Sequence, residues 1–410
     1  MRHSFHLRGH EGRQIATKRR RYLTWIFVLI FGTAGAAVAQ PPAAPFVEQP
    51  PISQVELDAV VAICGDFDLD GDLDVVSASH YGGEIIWHEN SQGDASAWIR
   101  RPIWEDSRGA SSLAVADIDG DGDLDVAVAA SYRNEVAWFE NPGTLTSSWE
   151  PHTLPGLNLN VTGVAAGDVD GDGDVDLAIA EMNGLYWYEN DGGDSTTWPR
   201  RVVSQQYEST QTVVLGDLDG DQDLDVVAGT RRNTRVAWVE NIPGLVTTWQ
   251  PSEIHRSPSE ETDVAIADID NDGDMDTVSI AGTSGELVWH ENLDRSGSKW
   301  QTSTIEDGTK DTHSRGFGPY PRRRITTADI DNDGDIDVLS SSIYDDRLAL
   351  HENLSNGDWT TRIIVSQSLF PSNITTCDLD GDGDLDVIDT SLTVDFNGFI
   401  RWYANQSTRE

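Results

Sequence analysis

Residues 167–176 read GDVDGDGDVD, which places aspartates at every second position from Asp168 to Asp176. Five like charges on one short loop repel one another, so the segment needs a cation or full exposure to water. The same stretch recurs seven times. Aligned on the first aspartate, the carboxylates are Asp66, Asp68, Asp70, Asp72 and Asp74, then Asp117, Asp119, Asp121, Asp123 and Asp125. They continue as Asp168, Asp170, Asp172, Asp174 and Asp176, and as Asp217, Asp219, Asp221, Asp223 and Asp225. The last three sets are Asp268, Asp270, Asp272, Asp274 and Asp276; Asp329, Asp331, Asp333, Asp335 and Asp337; and Asp378, Asp380, Asp382, Asp384 and Asp386. First aspartates lie 51, 51, 49, 51, 61 and 49 residues apart. Self-similarity at a period near 50 residues indicates a repeat architecture, and it overrides the two-domain organisation that 410 residues alone would allow.

Each repeat carries further marks. A β-rich run such as DVAVAA (Asp125 to Ala130) follows the loop, then a polar turn, then a strand ending W-x-E-N. That ending runs Trp87 to Asn90, Trp138 to Asn141, Trp187 to Asn190, Trp238 to Asn241 and Trp289 to Asn292. The sixth repeat has Leu350 in place of tryptophan, and the seventh ends Trp402-Tyr403-Ala404-Asn405. A second tryptophan follows at Trp98, Trp149, Trp198, Trp249, Trp300 and Trp359, so twelve of the fourteen tryptophans occupy two repeat positions. That regularity reads as aromatic packing between sheets. Four short alternating runs per repeat read as a four-stranded antiparallel sheet, and radial repetition of such sheets makes a β-propeller. The seventh repeat stops after its third strand. PFVEQPPI (Pro45 to Ile52) supplies the missing fourth, closing the ring. The expected fold is all-β, a seven-bladed propeller over 45–405, with a short linker at 40–44 and a tail at 406–410.

The loop pattern is D-x-D-x-D-G-D-x-D, with Gln222 replacing glycine in the fourth copy. Carboxylates at positions 1, 3, 5 and 9 converge when the loop turns sharply, and glycine at position 6 permits the turn. An all-oxygen cage suits Ca²⁺ better than Mg²⁺, and Zn²⁺ would want the His or Cys that every loop lacks. An EF-hand needs twelve residues, a final Glu and flanking helices. Here the sequence resembles the FG-GAP/VCBS repeat family, whose relatives include the propeller heads of integrin α subunits. The resemblance covers residues 45–405. It implies up to seven Ca²⁺, each bound by side chains of the first, third, fifth and ninth loop residues and by the carbonyl of the seventh.

The N-terminus reads differently. Lys18 to Arg21 precede the apolar run Leu23 to Phe31 and a small-residue stretch ending Ala37-Val38-Ala39. These are the parts of a secretory signal peptide over 1–39, with a membrane anchor as the alternative. The expected localisation is secreted, periplasmic or cell-surface. Without that segment the chain has 21 cationic against 69 acidic residues, a net charge of −48. Such a balance argues against nucleic acid as partner and against membrane insertion after cleavage. Cys64 and Cys377 sit beside the loops of the first and last repeats, neighbours in a closed ring. They form either a disulfide or two small buried thiols.

Family geometry puts the acidic loops on one face of the disc. The other face then gathers His80, Tyr81, Tyr132, Arg133, Arg231, Arg232, Tyr344 and Arg347, with Arg322, Arg323 and Arg324 from an insert at 305–326. Arginine suits bidentate carboxylate or sulfate contacts, so this face reads as a surface for a glycan or protein ligand with anionic groups. Two other classes are carried alongside a binding or adhesion module. One is a polysaccharide lyase on the same scaffold, with His80, Tyr81, His313 and Tyr320 as its candidates. The other is a structural cell-surface repeat protein. No G-x-S-x-G elbow, H-E-x-x-H motif or phosphate loop is present, which favours binding over catalysis.

Overall fold

Seven short runs beginning at the ninth loop residue, from Asp74–Ser79 to Asp386–Leu392, are buried along their whole length. A strand buried on both faces must be sandwiched between sheets, and the architecture supplies that. In a computed structural model, which describes residues 46–406 apart from 146, 157–159, 193–196, 232–234, 243–247, 257–260, 283, 309–322, 356, 367–369 and 393–396, the chain is all-β. Blade 1 consists of Ala59–Gly65, Asp74–Ser79, Ile85–Asn90 and Trp98–Trp104, joined antiparallel in that order. Blades 2 to 6 repeat the same meander. The first strand of each blade packs beside that of the next, and Pro371–Cys377 of blade 7 packs beside Ala59–Gly65, so the ring closes. These inner strands line an axial channel of about 440 Å³.

Blade 7 contains Pro371–Cys377, Asp386–Leu392 and Asn397–Asn405, and its outer edge is the N-terminal segment. Phe46 pairs with Asn405, Val47 with Ala404 and Glu48 with Tyr403. The segment is longer than the sequence suggested. After an interruption it pairs again over Ser53–Leu57, with Leu57 opposite Asn397. The interruption falls on Pro50 and Pro51, which have no N–H to give a sheet. Trp402 Nε1 instead donates to the Pro50 carbonyl at 3.1 Å. At the same seam Cys64 and Cys377 are joined in a disulfide. One strand, one proline-bridged clasp and one covalent bond therefore hold the ends of the ring.

The repeat tryptophans pack between blades. Trp87 meets Trp149 of blade 2 with ring centroids 6.4 Å apart, Trp138 stacks with Trp198 at 6.3 Å, and Trp289 meets Trp359 at 6.4 Å. His88, His290 and His351 share a register with Phe139 and lie buried, each ring against a serine hydroxyl at 2.9 Å. The segments read as signal peptide (1–39) and linker (40–44), and all but the first residue of the tail (406–410), lie outside the described residues.

Candidate functional site

Each acidic loop is the hairpin between the first and second strands of its blade, and three anchors shape it. The position-1 aspartate accepts the backbone N–H of position 6 through Oδ2 at 2.9–3.1 Å in all seven loops. That bond needs a left-handed residue at position 6, and φ there runs from 90° to 102° in the glycine loops. Gln222 adopts the same region at φ 77°, and its N–H still reaches Asp217 at 3.0 Å. The departure in the fourth loop therefore costs backbone strain but preserves the turn.

The position-9 aspartate closes the base. One oxygen accepts the backbone N–H of the W-x-E-N asparagine at 2.7–2.9 Å in every blade. The other accepts the N–H of position 2 at 2.8–3.3 Å in blades 2 to 7. Trp87 and Trp289 add their indole N–H groups to Asp74 and Asp276 at 2.9 and 3.0 Å. Burial raises these carboxyls to about 7 in Asp74, Asp125, Asp225, Asp276, Asp337 and Asp386, and to about 8 in Asp176. Position 9 is thus first a structural keystone. In loops 2 and 3 it also turns a carboxylate oxygen toward positions 1 and 3.

The third anchor was not anticipated from the sequence. The W-x-E-N asparagine donates through Nδ2 to the position-8 carbonyl of its own loop at 3.1–3.3 Å. The same amide donates to the position-2 carbonyl of the preceding blade's loop at 2.7–3.0 Å. This stitch runs around the whole ring and closes from Asn90 to Leu379. The glutamate beside it has a part as well. Glu89, Glu140, Glu189, Glu240, Glu291 and Glu352 face the position-3 aspartates, whose carboxyls are raised first by burial and then by this and neighbouring negative charge. Sevenfold recurrence of the asparagine was the signal available in the sequence.

With these anchors set, carboxylate oxygens of three aspartates lie within 4.8 Å of one another in each cluster. Asp66, Asp68 and Asp70 form one, and Asp117, Asp119 and Asp125 another. Oδ1 of Asp66, Asp117, Asp329 and Asp378 is buried without a hydrogen-bond donor. Buried carboxylate oxygens without donors are costly, and a hard cation is the partner that would satisfy several at once. The all-oxygen donor set fits a divalent ion. A bound ion would also draw down the raised position-3 carboxyls, because its charge outweighs the mutual repulsion.

The opposite face corrects part of the sequence reading. Tyr81 and Tyr132, on the second-to-third-strand turns of blades 1 and 2, are 46% and 51% exposed, with ring centroids 5.9 Å apart. His80 lies buried beneath them, 4.6 Å from Tyr132 and hydrogen-bonded through Nδ1 to the Ala110 carbonyl at 2.9 Å. Beside this pair the channel mouth opens into a cavity of about 410 Å³, lined by His80, Ser131, Thr162, Met182, Gln211 and Arg231 among others. Four of the described arginines are held by carboxylates instead of standing free as the cationic patch that the sequence suggested. Arg323 is only 2% exposed, ion-paired with Asp345 at 3.2 Å and lying 5.8 Å from the Tyr344 ring. Arg324 points into the channel, where it pairs with Asp263 at 3.1 Å and reaches the Ser111 carbonyl at 3.3 Å. Arg347 is held by Glu306 at 2.5 Å, and Arg133 by Asp106 at 2.8 Å. In a chain with 70 acidic residues, each of these few cations folds onto a nearby carboxylate. Arg232, Arg322, His313 and Tyr320 lie outside the described residues.

Fold and site together define a seven-bladed β-propeller with one acidic, cation-fitting loop per blade. The FG-GAP-like repeat profile matches six overlapping windows, 66–128, 117–179, 168–228, 217–279, 268–340 and 329–388, and each begins on a loop's first aspartate. The chain belongs to the FG-GAP-like repeat family. No curated protein matches it. Among solved structures it is similar to a lectin of Agrocybe aegerita described as specifically recognising non-reducing terminal N-acetylglucosamine. The identity is 15%, covering 86% of this chain and 87% of the lectin, with a TM-score of 0.54. That likeness is one of fold.

Proposed function

We propose that the chain is a secreted, calcium-stabilised propeller that works as a glycan-binding module, with its ligand on the face opposite the acidic loops. The observation that carries this reading is the Tyr81–Tyr132 pair. Two large rings, half in water and set over a buried histidine, form a contiguous aromatic surface. They adjoin a cavity large enough for a sugar unit, with serine, threonine, glutamine and arginine side chains in its lining. Tyrosine offers an apolar face to a pyranose ring and a hydroxyl to its edge. Because Arg133, Arg323, Arg324 and Arg347 already have carboxylate partners, we propose recognition through ring faces and hydroxyls rather than through anionic charge. The ligand of the lectin neighbour, non-reducing terminal N-acetylglucosamine, makes neutral sugars the first probes. In the acidic loops, the oxygen donor set and the donorless buried oxygens support calcium as the ion.

The test is a titration of neutral and uronate oligosaccharides into wild type and a Tyr81→Ala/Tyr132→Ala variant. The reading expects neutral sugars to bind and the variant to lose at least about tenfold in affinity, while Arg133→Ala is unchanged. Equal binding by the tyrosine variant, or no binding by wild type across the panel, refutes it.

A further inference from the structure

The seven loops are not equivalent at position 4, which sits between two of the clustered aspartates. Gly120, Gly171, Gly220 and Gly381 occupy it in four loops and Leu69 in the first, whereas loops 5 and 6 carry Asn271 and Asn332. Both asparagines adopt left-handed backbone, at φ 58° and 59°, and both amides cross to the next blade. Asn271 Nδ2 donates to the Gly334 carbonyl at 3.0 Å and to Asp335 Oδ1 at 2.9 Å in loop 6. Asn332 Nδ2 donates to Asp384 Oδ1 at 3.0 Å in loop 7. Asp335 and Asp384 are the position-7 residues of their loops.

The arc of blades 5 to 7 gains further contacts at the same position. Arg295 bonds Asp274 of loop 5 and donates to the Asp272 carbonyl at 3.1 Å, and Ser355 Oγ donates to Asp335. Among the described residues, Asp72, Asp123, Asp174 and Asp223 receive no hydrogen bond from an amide of a neighbouring loop.

We propose that Asn271 and Asn332 are positioning residues that couple the ion sites of blades 5, 6 and 7 into one cooperative unit, apart from the sites of blades 1 to 4. The proposal rests on the calcium reading of the acidic loops. Asn271 is flanked by Asp270 and Asp272, so the carboxylates that would hold an ion in loop 5 and the amide that reaches loop 6 share one short run. That amide holds the peptide and side chain at Asp335, where the next loop presents its own ligand carbonyl. Asn332 repeats the side-chain half of the relation from loop 6 to loop 7, through Asp384 Oδ1. The contact joins two acidic loops, so any difference in its strength between their open and filled states is a coupling free energy, and it acts in both directions.

The experiment is a Ca²⁺ titration by calorimetry of residues 40–410, comparing wild type with Asn271→Gly/Asn332→Gly. Glycine already fills this position in four loops, so the backbone conformation is retained. Melting in chelator serves as the second readout, because a merely structural role would lower it. The proposal expects a wild-type isotherm with a steep phase of about three ions and a Hill coefficient above one. In the variant the same total binds, the steep phase disappears, and its midpoint rises about fivefold, within the usual range of such couplings. Single variants lose part of the steepness each, and melting in chelator stays within about a degree. An unchanged isotherm at unchanged stoichiometry overturns the coupling and leaves the calcium reading standing. A lost steep phase together with a large fall in chelator melting assigns the asparagines a structural role instead. Absence of any Ca²⁺ binding in wild type overturns both.

Discussion

Replacing Asn141 by alanine tests the stitch that joins the loops, and its cost can be worked from the geometry. Asn141 is buried, and its Nδ2 donates to the Phe67 carbonyl of blade 1 at 2.7 Å and to the Leu124 carbonyl of its own loop at 3.1 Å. Its Oδ1 accepts from the Gly143 N–H at 3.1 Å. The bond to Phe67 is enclosed, so after truncation water does not readily replace the donor. A buried acceptor left without its donor costs about 1–3 kcal/mol, and the half-buried Leu124 bond adds about 1 kcal/mol. The predicted loss is therefore about 3 kcal/mol. Asn141→Asp retains the shape but presents oxygen to two carbonyls, so its loss should be at least as large. Urea unfolding in millimolar Ca²⁺, followed by tryptophan fluorescence, reads this as a lower midpoint at unchanged slope. Asn292→Ala, with the same two bonds at 2.8 and 3.3 Å, should cost a similar amount. Losses below about 0.5 kcal/mol at both sites would refute the stitch as a source of stability.

Two loop residues sit in left-handed backbone that disfavours them. Leu69 at φ 57° is 60% exposed and Gln222 has φ 77°. Left-handed backbone costs an ordinary residue about 1–2 kcal/mol, part of which glycine gives back through unfolded-state entropy. Leu69→Gly and Gln222→Gly should each stabilise by about 0.5–1 kcal/mol in the same unfolding assay, and destabilisation by either would contradict the strain assignment. Acid should also act through the buried histidines. Burial lowers His88, His290 and His351 to about 3, below the ordinary 6.5, so the unfolded chain takes up their protons first. Their contribution is intact above pH 6.5 and is lost as pH falls from there toward 3. One unit below 6.5 each costs about 1.4 kcal/mol, so three cost on the order of 4 kcal/mol by pH 5.5. His88→Phe, matching Phe139 at the same register in blade 2, should remove a third of that slope between pH 6.5 and 5.5. An unchanged slope would mean that these rings do not control it.

Much of this was legible because it repeats. Position 9, the glycine turn and the tryptophan pairs are local patterns that recur at a fixed spacing, and the seventh repeat's missing fourth strand stands out against them. What escaped were relations between repeats. W-x-E-N could be read as strand and packing, but that Asn90 reaches the Leu379 carbonyl depends on ring closure, 289 residues away. The same limit explains the misread arginines. Arg323 and Arg324 follow an irregular insert and look like loop residues, yet they begin the inner strand Arg323–Ala328. There one side chain turns into the blade to meet Asp345 and the next into the channel to meet Asp263. Charge counting cannot see which carboxylate each cation meets. The tyrosine pair was visible only as two residues, since their contact depends on blades 1 and 2 lying side by side.

The central claim is that seven aspartate loops hold this propeller together around calcium. Metal analysis of residues 40–410, paired with thermal melting in millimolar Ca²⁺ and after chelation, tests it most directly. Linkage makes the size of the effect predictable. Sites held tenfold above their dissociation constants contribute about 1.4 kcal/mol each, and seven together contribute on the order of 10 kcal/mol, comparable to the whole stability of a typical domain. The account predicts about seven ions per chain and a large fall in melting temperature on chelation. No bound metal and an unchanged melting temperature would contradict it, leaving the loops as solvated acidic turns held by their own backbone hydrogen bonds.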